Sequence, residues 1–389
     1  MCRTTRKVQK LLLKVLNSSN LRPLYKRNLQ LARVLAAFTL GPSDSHDVVD
    51  GRPDSLRLKE LIHYIDEQAT APSCFDDIKS FVERLDAEGM KLVAYDHIPE
   101  LSTDGDESKA ARIQLLSLKT KYFVSSCPLT YNNLSSEKPR LQCLACSTEL
   151  DSASCVSCLS TISRAALSLY KRISSDSSTY KQTFRDNALP DIAILIAYCN
   201  IRQAFPNQIC QRPRSAQSLR HLLRALFILE HQLFLTPKHS VLSLITTQVH
   251  LLLGSAYRAR EVWDVLAVKR TIVDSLGPLF YDRFSTISPS AISPEEKWGR
   301  HLIDTLKSHY EYSLKLKMPR RLIDAFEDGS YDSVIEIPRY IENLRWSSAR
   351  AMGLVEEART ERLLGSPLGD VISDPRFGML RRLSWLSDC

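Results

Sequence analysis

Residues 218–235 read SLRHLLRALFILEHQLFL, and the reading of this stretch decides the fold class. Leu222, Leu223, Leu226, Phe227, Ile228, Leu233 and Phe234 cover most of a helical wheel. His221, Arg224, Glu230 and Gln232 are left as a narrow polar strip. A helix apolar on that many sides is expected to be buried on several of them, which makes Leu226 and Leu229 candidate core residues. Pro237 ends the segment. A second helix is expected from about Ser240 to Leu253, closed by Gly254, and a third from about Tyr257 to Ala267.

Working outward, the spacing within this block repeats. Ala225, Leu229 and Pro237 fit the second helix of a tetratricopeptide hairpin, with a small residue, a large apolar residue and a terminal proline. The small-then-large pair returns 34 residues later as Ala259 and Trp263, preceded by Gly254 at a tight turn. Two partial copies favour an all-α, tetratricopeptide-like α-α solenoid, a right-handed superhelix of antiparallel helix pairs, over a closed bundle. Composition agrees. Only 12 glycines occur in 389 residues, which argues against phosphate-cradling loops and against a turn-rich β fold. No sheet of more than two short strands is expected.

The charge is unevenly placed. Residues 1–43 hold nine Lys or Arg and no acid, so a net charge of +8 leaves 8 − 9 = −1 for the remainder. Basic character is therefore an N-terminal property. Lys7, Lys10, Lys14, Arg22, Lys26 and Arg27 are candidates to contact phosphate, including ribosomal RNA, although Tyr25 is the single aromatic among them. The other reading of the same residues is the solvated face of two helices. The acid-free start also has the composition of a mitochondrial presequence. No secretory pattern is visible, and the longest apolar stretch, Ile192 to Cys199, is too short to cross a bilayer. Ten cysteines without a secretory signal point to a reducing compartment. A cytoplasmic protein is expected, with no membrane partner.

Helical spacing runs along the chain between polar breaks. It divides into basic N-terminal helices at 1–43, first solenoid helices at 54–124, a Cys/Ser-rich insertion at 125–160, central tetratricopeptide-like hairpins at 161–283, C-terminal helices at 294–364 and an irregular tail at 365–389. Leu12, Val15 and Leu16, then Leu31, Val34, Leu35 and Phe38, mark the first two helices, broken at Asn20 to Pro23. Gly41 to Pro53 reads as a polar loop. Leu58, Leu61, Ile62 and Ile65 make one helical stripe, and Ile78, Phe81, Val82 and Leu85 another, with Ser73 and Asp76 resembling a capping box. A helix is expected over Lys109–Val124, and Ile162, Ala165, Ala166 and Leu169 begin the next. Pro190 is placed at the first turn of a helix running to about Ala204. Ser293, Pro294 and Glu296 give a cap, a first-turn proline and an N3 acid ahead of helices near Leu302–Leu316 and Val334–Leu364.

One spacing carries chemistry. Cys143-x2-Cys146-x8-Cys155-x2-Cys158 offers four thiolates, the donor set of a closed structural zinc. The second pair falls where a helix begins. The eight-residue gap is short for such sites, and no glycine eases the first knuckle. The alternatives are ordinary thiols in a polar loop and a redox-active CxxC. Four Cys would leave no open position for catalysis at a bound metal. The nine His form no HExxH or H-x3-H pair, and Glu230-His231 reads as polar strip. In Gly365-Ser366-Pro367-Leu368-Gly369 the serine is not centred as a nucleophile elbow requires. No dinucleotide or Walker loop is present. Asp76-Asp77 and Glu356-Glu357 are adjacent, point to different helix faces and read as solvated charge. No catalytic and no cofactor-binding residue emerges.

A family resemblance adds to this. Ala71-Pro72-Ser73-Cys74-Phe75-Asp76-Asp77-Ile78-Lys79-Ser80-Phe81 resembles a signature of the auxiliary, non-catalytic subunit of the N-terminal acetyltransferase B complex. Leu229-Glu230-His231, Thr236-Pro237, Leu252-Leu253-Gly254 and Asp274-Ser275-Leu276-Gly277 match the same family's second block, with Lys269 before its last element. The resemblance covers roughly residues 20–360 and is closest to fungal members, which are much longer, so the chain looks like a core or truncated form. It implies a helical scaffold without chemistry of its own that holds a catalytic, acetyl-CoA-binding acetyltransferase subunit. It also implies anchoring at the ribosome, where the complex acetylates nascent chains beginning Met-Asp, Met-Glu, Met-Asn or Met-Gln. A generic tetratricopeptide-type protein-binding scaffold and a zinc-bearing nucleic-acid-binding helical protein are the competing readings.

Overall fold

The computed structural model describes residues 22–40, 46–102, 105–126, 129–131, 140–150, 154–176, 178–205, 216–268, 271–282, 284–289 and 298–365. The helix expected from Leu12 to Leu16 with Lys7, Lys10 and Lys14, the cap at Ser293 to Glu296, Lys269, and the tail with Ser366 to Gly369 all lie outside these residues. The chain divides into two compact units, 1–236 and 237–389, the division falling inside the expected 161–283 block.

The first unit is built of helices α1 (Pro23–Leu40), α2 (Leu56–Gln68), α3 (Cys74–Val82), the short α4 (Ala87–Lys91), α5 (Glu107–Ser125), α6 (Val156–Ser175), α7 (Gln182–Ala204) and α8 (Ala216–Leu235). Consecutive helices pack on one another, α1 on α2, α5 on α6, α6 on α7 and α7 on α8. That order is what an α-α solenoid requires. Each start has its local cause. Ser55 caps α2 by accepting from Leu58 N–H, and Asp106 caps α5 by accepting from Ser108 and Lys109 N–H. The expected stripe of α2 is a core face, with Leu58, Leu61 and Ile65 fully buried and Ile62 packed at its edge. Ile78, Phe81, Val82 and Leu85 join the same core, together with Val34 and Phe38 from α1.

The polar loop expected at 41–53 holds more structure than its composition suggests. Val48–Val49 (β1) and Arg52–Pro53 (β2) form a small antiparallel hairpin beside Asp47, whose side chain is fully buried. Arg57 Nε (2.6 Å) and Ser55 Oγ (2.6 Å) donate to Asp47 Oδ1, and Arg57 Nη2 (2.9 Å) and the N–H of Asp86 (2.8 Å) to Oδ2. Asp86 answers by accepting from the Asp47 N–H at 2.8 Å. A side chain at Gly89 would be tight here, because a Cβ would stand 3.0 Å from the Asp47 Cβ.

The second unit contains α9 (Ser240–Leu252), α10 (Ala256–Val265), α11 (Thr271–Tyr281), α12 (Phe284–Ile287), α13 (Trp298–Tyr312), α14 (Met318–Glu327), α15 (Tyr331–Arg345) and α16 (Ser348–Leu363). Gly254 ends α9 at φ +78°, with Ser255 N–H bonded to His250 O and Gly254 N–H to Leu251 O, the paired bonds of a glycine-closed helix end. The recurring small-then-large pairs are both inside: Ala225 and Leu229 in α8, Ala259 and Trp263 in α10. Trp263 stacks on Phe280 at 5.0 Å, and Phe280 on Phe284 at 5.6 Å, forming the centre of this unit's core. Pairs α9/α10 and α14/α15 are consecutive, while α16 returns to pack on α11 and α13. The described chain is thus an all-α solenoid of paired helices.

Several expectations are corrected. Residues 218–235 do form a helix, but its polar strip is partly the buried side: His221 and Gln232 are inside, and Phe227 and Phe234 are 76% and 85% exposed. Gln232 is buried because Tyr170 donates to its Oε1 at 2.7 Å. Leu226 is only half-buried, so the centre of this helix is Leu222, Ala225 and Leu229. Pro190 lies inside α7, which begins at Gln182; the lost backbone bond is tolerated in a helix packed against both neighbours. Ser73 precedes α3 without capping it, its conformation being helical. The helix expected over Val334–Leu364 breaks at Ser347, which caps α16 by accepting from Arg350 N–H. A three-stranded antiparallel sheet also forms, β3 (Leu129–Tyr131), β4 (Arg140–Gln142) and β5 (Glu149–Leu150), against the expectation of at most two. Its strands are two or three residues long and flank the first CxxC, whose turn brings β5 back onto β4.

Candidate functional site

The turn after β4 is closed by Cys143 N–H bonding to Thr148 O at 2.9 Å and Ser147 N–H bonding to Cys143 O at 2.8 Å. Ser147 takes a left-handed φ of +57°, the position at which a glycine would be free of strain. The missing glycine at the first knuckle is therefore replaced by a serine. Between the two cysteines, Leu144 is buried and belongs to the core of α1–α3 and α5. Strand β5 then leads towards α6, where Cys155 is the N-cap and Cys158 the third residue of the first turn. Cys155 makes no side-chain cap bond, so its sulfur is available to the cluster.

The four sulfurs of Cys143, Cys146, Cys155 and Cys158 lie within 4.8 Å of one another. Cys143 and Cys158 are 3.9 Å apart, and Cys146 and Cys155 3.6 Å. Cys143 and Cys155 are buried, Cys158 half-buried and Cys146 exposed. As free thiols, Cys143, Cys146 and Cys158 are not shifted in the same direction. Burial opposes charge on Cys146, but donation from the Thr148 hydroxyl, the Thr148 backbone and the neighbouring thiols outweighs it and brings the group down to about 6. Burial pushes Cys143 and Cys158 up, with Cys158 further raised by its bond to Cys146. The crowd holds one negative charge readily, and a divalent cation would let it hold four. This is a donor set that could bind a metal.

The other sequence candidates meet different fates. Asp76 is exposed, but Asp77 is not solvated charge: Arg27 Nε and Nη2 donate to it at 2.9 and 2.5 Å and the Tyr64 hydroxyl at 2.7 Å. Lys26 pairs with Glu67 at 2.6 Å. Two of the basic residues read as phosphate candidates therefore have internal partners. Glu356 is fully buried, accepting from Ser285 N–H at 2.8 Å and paired with Arg359, and Glu357 pairs with Lys307 at 2.8 Å. His231 lies at the surface against Tyr170. In the second unit a cleft of about 150 Å³ opens between α13 and α16, lined chiefly by Ile303, Leu306, Tyr310 and Leu354. Its rim carries the Lys307–Glu357 pair.

The residues that carry the family resemblance are placed at structural junctions. Asp77 ties α1 and α2 to α3, and Cys74 and Ile78 are fully buried on either side of it. Asp274 in α11 accepts from the Tyr310 hydroxyl at 2.6 Å and from Ser347 at the cap of α16. Gly254 closes α9. Sequence comparison extends the likeness from these junctions to nearly the whole chain: the family of the N-acetyltransferase B complex (NatB) non-catalytic subunit matches over residues 2–381. The chain belongs to that family.

Among curated proteins it is similar to the NatB complex subunit arm1 of Schizosaccharomyces pombe, 24% identical over 172 residues. The match takes in 44% of this chain and 20% of the yeast protein, so the chain spans about a fifth of the length of that relative. The family is that of the complex's non-catalytic subunit, and by that membership the chain is not itself an enzyme. Among the described residues no helix is long and apolar enough to cross a membrane. Asp77 and Asp274 stand in the family motifs, but their partners are distant in sequence, and adjacency of charges suggested solvent for Asp77.

Proposed function

We propose that this chain is the scaffold of a NatB complex, holding a small catalytic acetyltransferase subunit and orienting it at the ribosome for co-translational N-terminal acetylation. The observation that carries this reading is the family match across residues 2–381. Stacked helix pairs suit such a role, since each pair buries one face on its neighbours and leaves another for a partner. The catalytic subunit supplies the acetyl-CoA site and the transfer chemistry. Substrates are nascent chains beginning Met-Asp, Met-Glu, Met-Asn or Met-Gln, and the setting is cytoplasmic. Ribosome contact is assigned to the basic N-terminal region, with Arg22 exposed and available and Lys26 and Arg27 engaged in internal pairs.

The test is co-expression with the catalytic subunit from the same organism, followed by affinity capture and an acetylation assay on Met-Asp and Met-Glu peptides. A stoichiometric pair that acetylates these peptides faster than the catalytic subunit alone is expected. Failure of the two chains to co-purify at low salt would overturn the scaffold reading. Ribosome anchoring is read separately, by salt-sensitive co-sedimentation with ribosomes.

A further inference from the structure

We infer that Cys143, Cys146, Cys155 and Cys158 form a closed structural zinc site that staples the Leu144 plug and the start of α6 to the core of the first helices. The inference stands on the geometry of the cluster and does not rest on the scaffold reading. Zinc–sulfur bonds of about 2.3 Å in a tetrahedron place sulfurs about 3.8 Å apart. The observed separations of 3.9 and 3.6 Å bracket that edge, and the largest spread is 4.8 Å. A set this tight surrounds one ion; an iron–sulfur cluster spreads its cysteines over several irons and needs a wider frame. Four soft thiolates in a tetrahedron select zinc, with iron the competitor. Binding forms four Zn–S bonds; each thiol still protonated loses its S–H bond, and those protons leave to solvent.

The four cysteines come from two supports. Cys143 and Cys146 flank the turn between β4 and β5, whose Leu144 is seated in the core of α1–α3 and α5. Cys155 and Cys158 lie in the first turn of the 20-residue α6, where unpaired backbone N–H groups favour negative sulfur. Tyr95 borders the cluster with Lys121 5.4 Å from its ring, and its hydroxyl is 3.3 Å from Ser125 on α5. The three strands here are two or three residues each, too short to hold together by backbone bonds alone. A metal supplies the missing constraint, and it explains how an eight-residue gap suffices: β5 folds back on β4, so the two pairs meet directly.

Metal analysis of the full chain, purified without chelator, is expected to give one zinc per chain, released by thiol modification. Cobalt replacement should produce the charge-transfer and visible bands of a tetrahedral tetrathiolate. Cys146→Ser, at the exposed ligand, should lose the zinc and the cobalt spectrum, while Cys199→Ala, outside the cluster, keeps both. Zinc well below one per chain, iron in its place, disulfides joining these cysteines, or a Cys146→Ser protein that keeps its metal would each overturn the site. Should Cys146→Ser fail to fold, the cobalt spectrum of the wild-type chain decides alone. The staple is read by hydrogen exchange: chelation should speed exchange across 140–162 by at least tenfold and leave α2 unchanged. Unchanged rates at 140–162 would refute it.

Discussion

At the scale of single residues, the chain invests buried carboxylates where its composition suggested solvated loops. Asp47 is the clearest case. Its environment sets two effects against each other: burial disfavours the charge, while Arg57, Ser55 and the Asp86 N–H favour it and prevail, holding the group below the ordinary carboxylate value of 3.8. A carboxylate whose folded pKa lies below its unfolded one contributes stability above the unfolded value and loses it as pH falls through the folded one. Replacing Asp47 by Asn leaves Arg57 facing a neutral group in a buried site, at a cost of about 3–5 kcal/mol. The stability gap between wild type and Asp47→Asn is thus expected to be full near pH 6–7 and to close as pH falls below about 4. Urea unfolding of both proteins across that range measures it. A gap that stays constant into acid would show that the loss is steric and not electrostatic.

At the scale of elements, α8 separates what periodicity can read from what it cannot. Apolar spacing correctly gave 218–235 as helical, and of the two core candidates Leu226 and Leu229 it is Leu229 that lies fully inside. The spacing could not say which of two apolar faces meets α7, because that choice depends on Asn200 and Tyr170, distant in sequence, which take His221 and Gln232 as partners. The same limit explains Glu356: a single backbone donor, Ser285 N–H, 71 residues away, decides its burial. The convergence of the four cysteines, by contrast, was legible because they lie within 16 residues, so chain connectivity limits how far apart they can be. For α8 the consequence is measurable. Leu229→Ala should cost about 2–5 kcal/mol, since its surroundings are fully packed. Phe227→Ala, removing an exposed ring, should change stability by less than about 0.5 kcal/mol. Equal losses at both positions would mean that the face carrying Phe227 is covered in solution.

At the scale of the whole molecule, the question is whether one cooperative structure or two is encoded. In a solenoid each helix pair draws its stability from its neighbours, so cooperativity runs along the chain for as far as interfaces are continuous. Among the described residues, one hydrophobic core runs from Val34 to Leu144 and another from Leu251 to Ala349, and these share no residue; Leu159, Leu169, Ile192 and Leu229 are buried on α6–α8 outside both. The polar junctions follow the same division, with Asp47 and Asp77 in the first unit and Asp274 and Glu356 in the second. The first unit has its own helix caps, its own core and the whole cysteine cluster. A chain ending at Thr236 is therefore expected to fold alone, with a helical circular dichroism spectrum, a single cooperative melting transition and one zinc per chain. The cut falls after α8, where Pro237 already interrupts backbone hydrogen bonding. Calorimetry of the full chain should then resolve a transition matching that of the 1–236 fragment. A fragment that melts without cooperativity while still binding zinc would show that the first unit takes its stability from the second, and the chain would have to be treated as one continuous array.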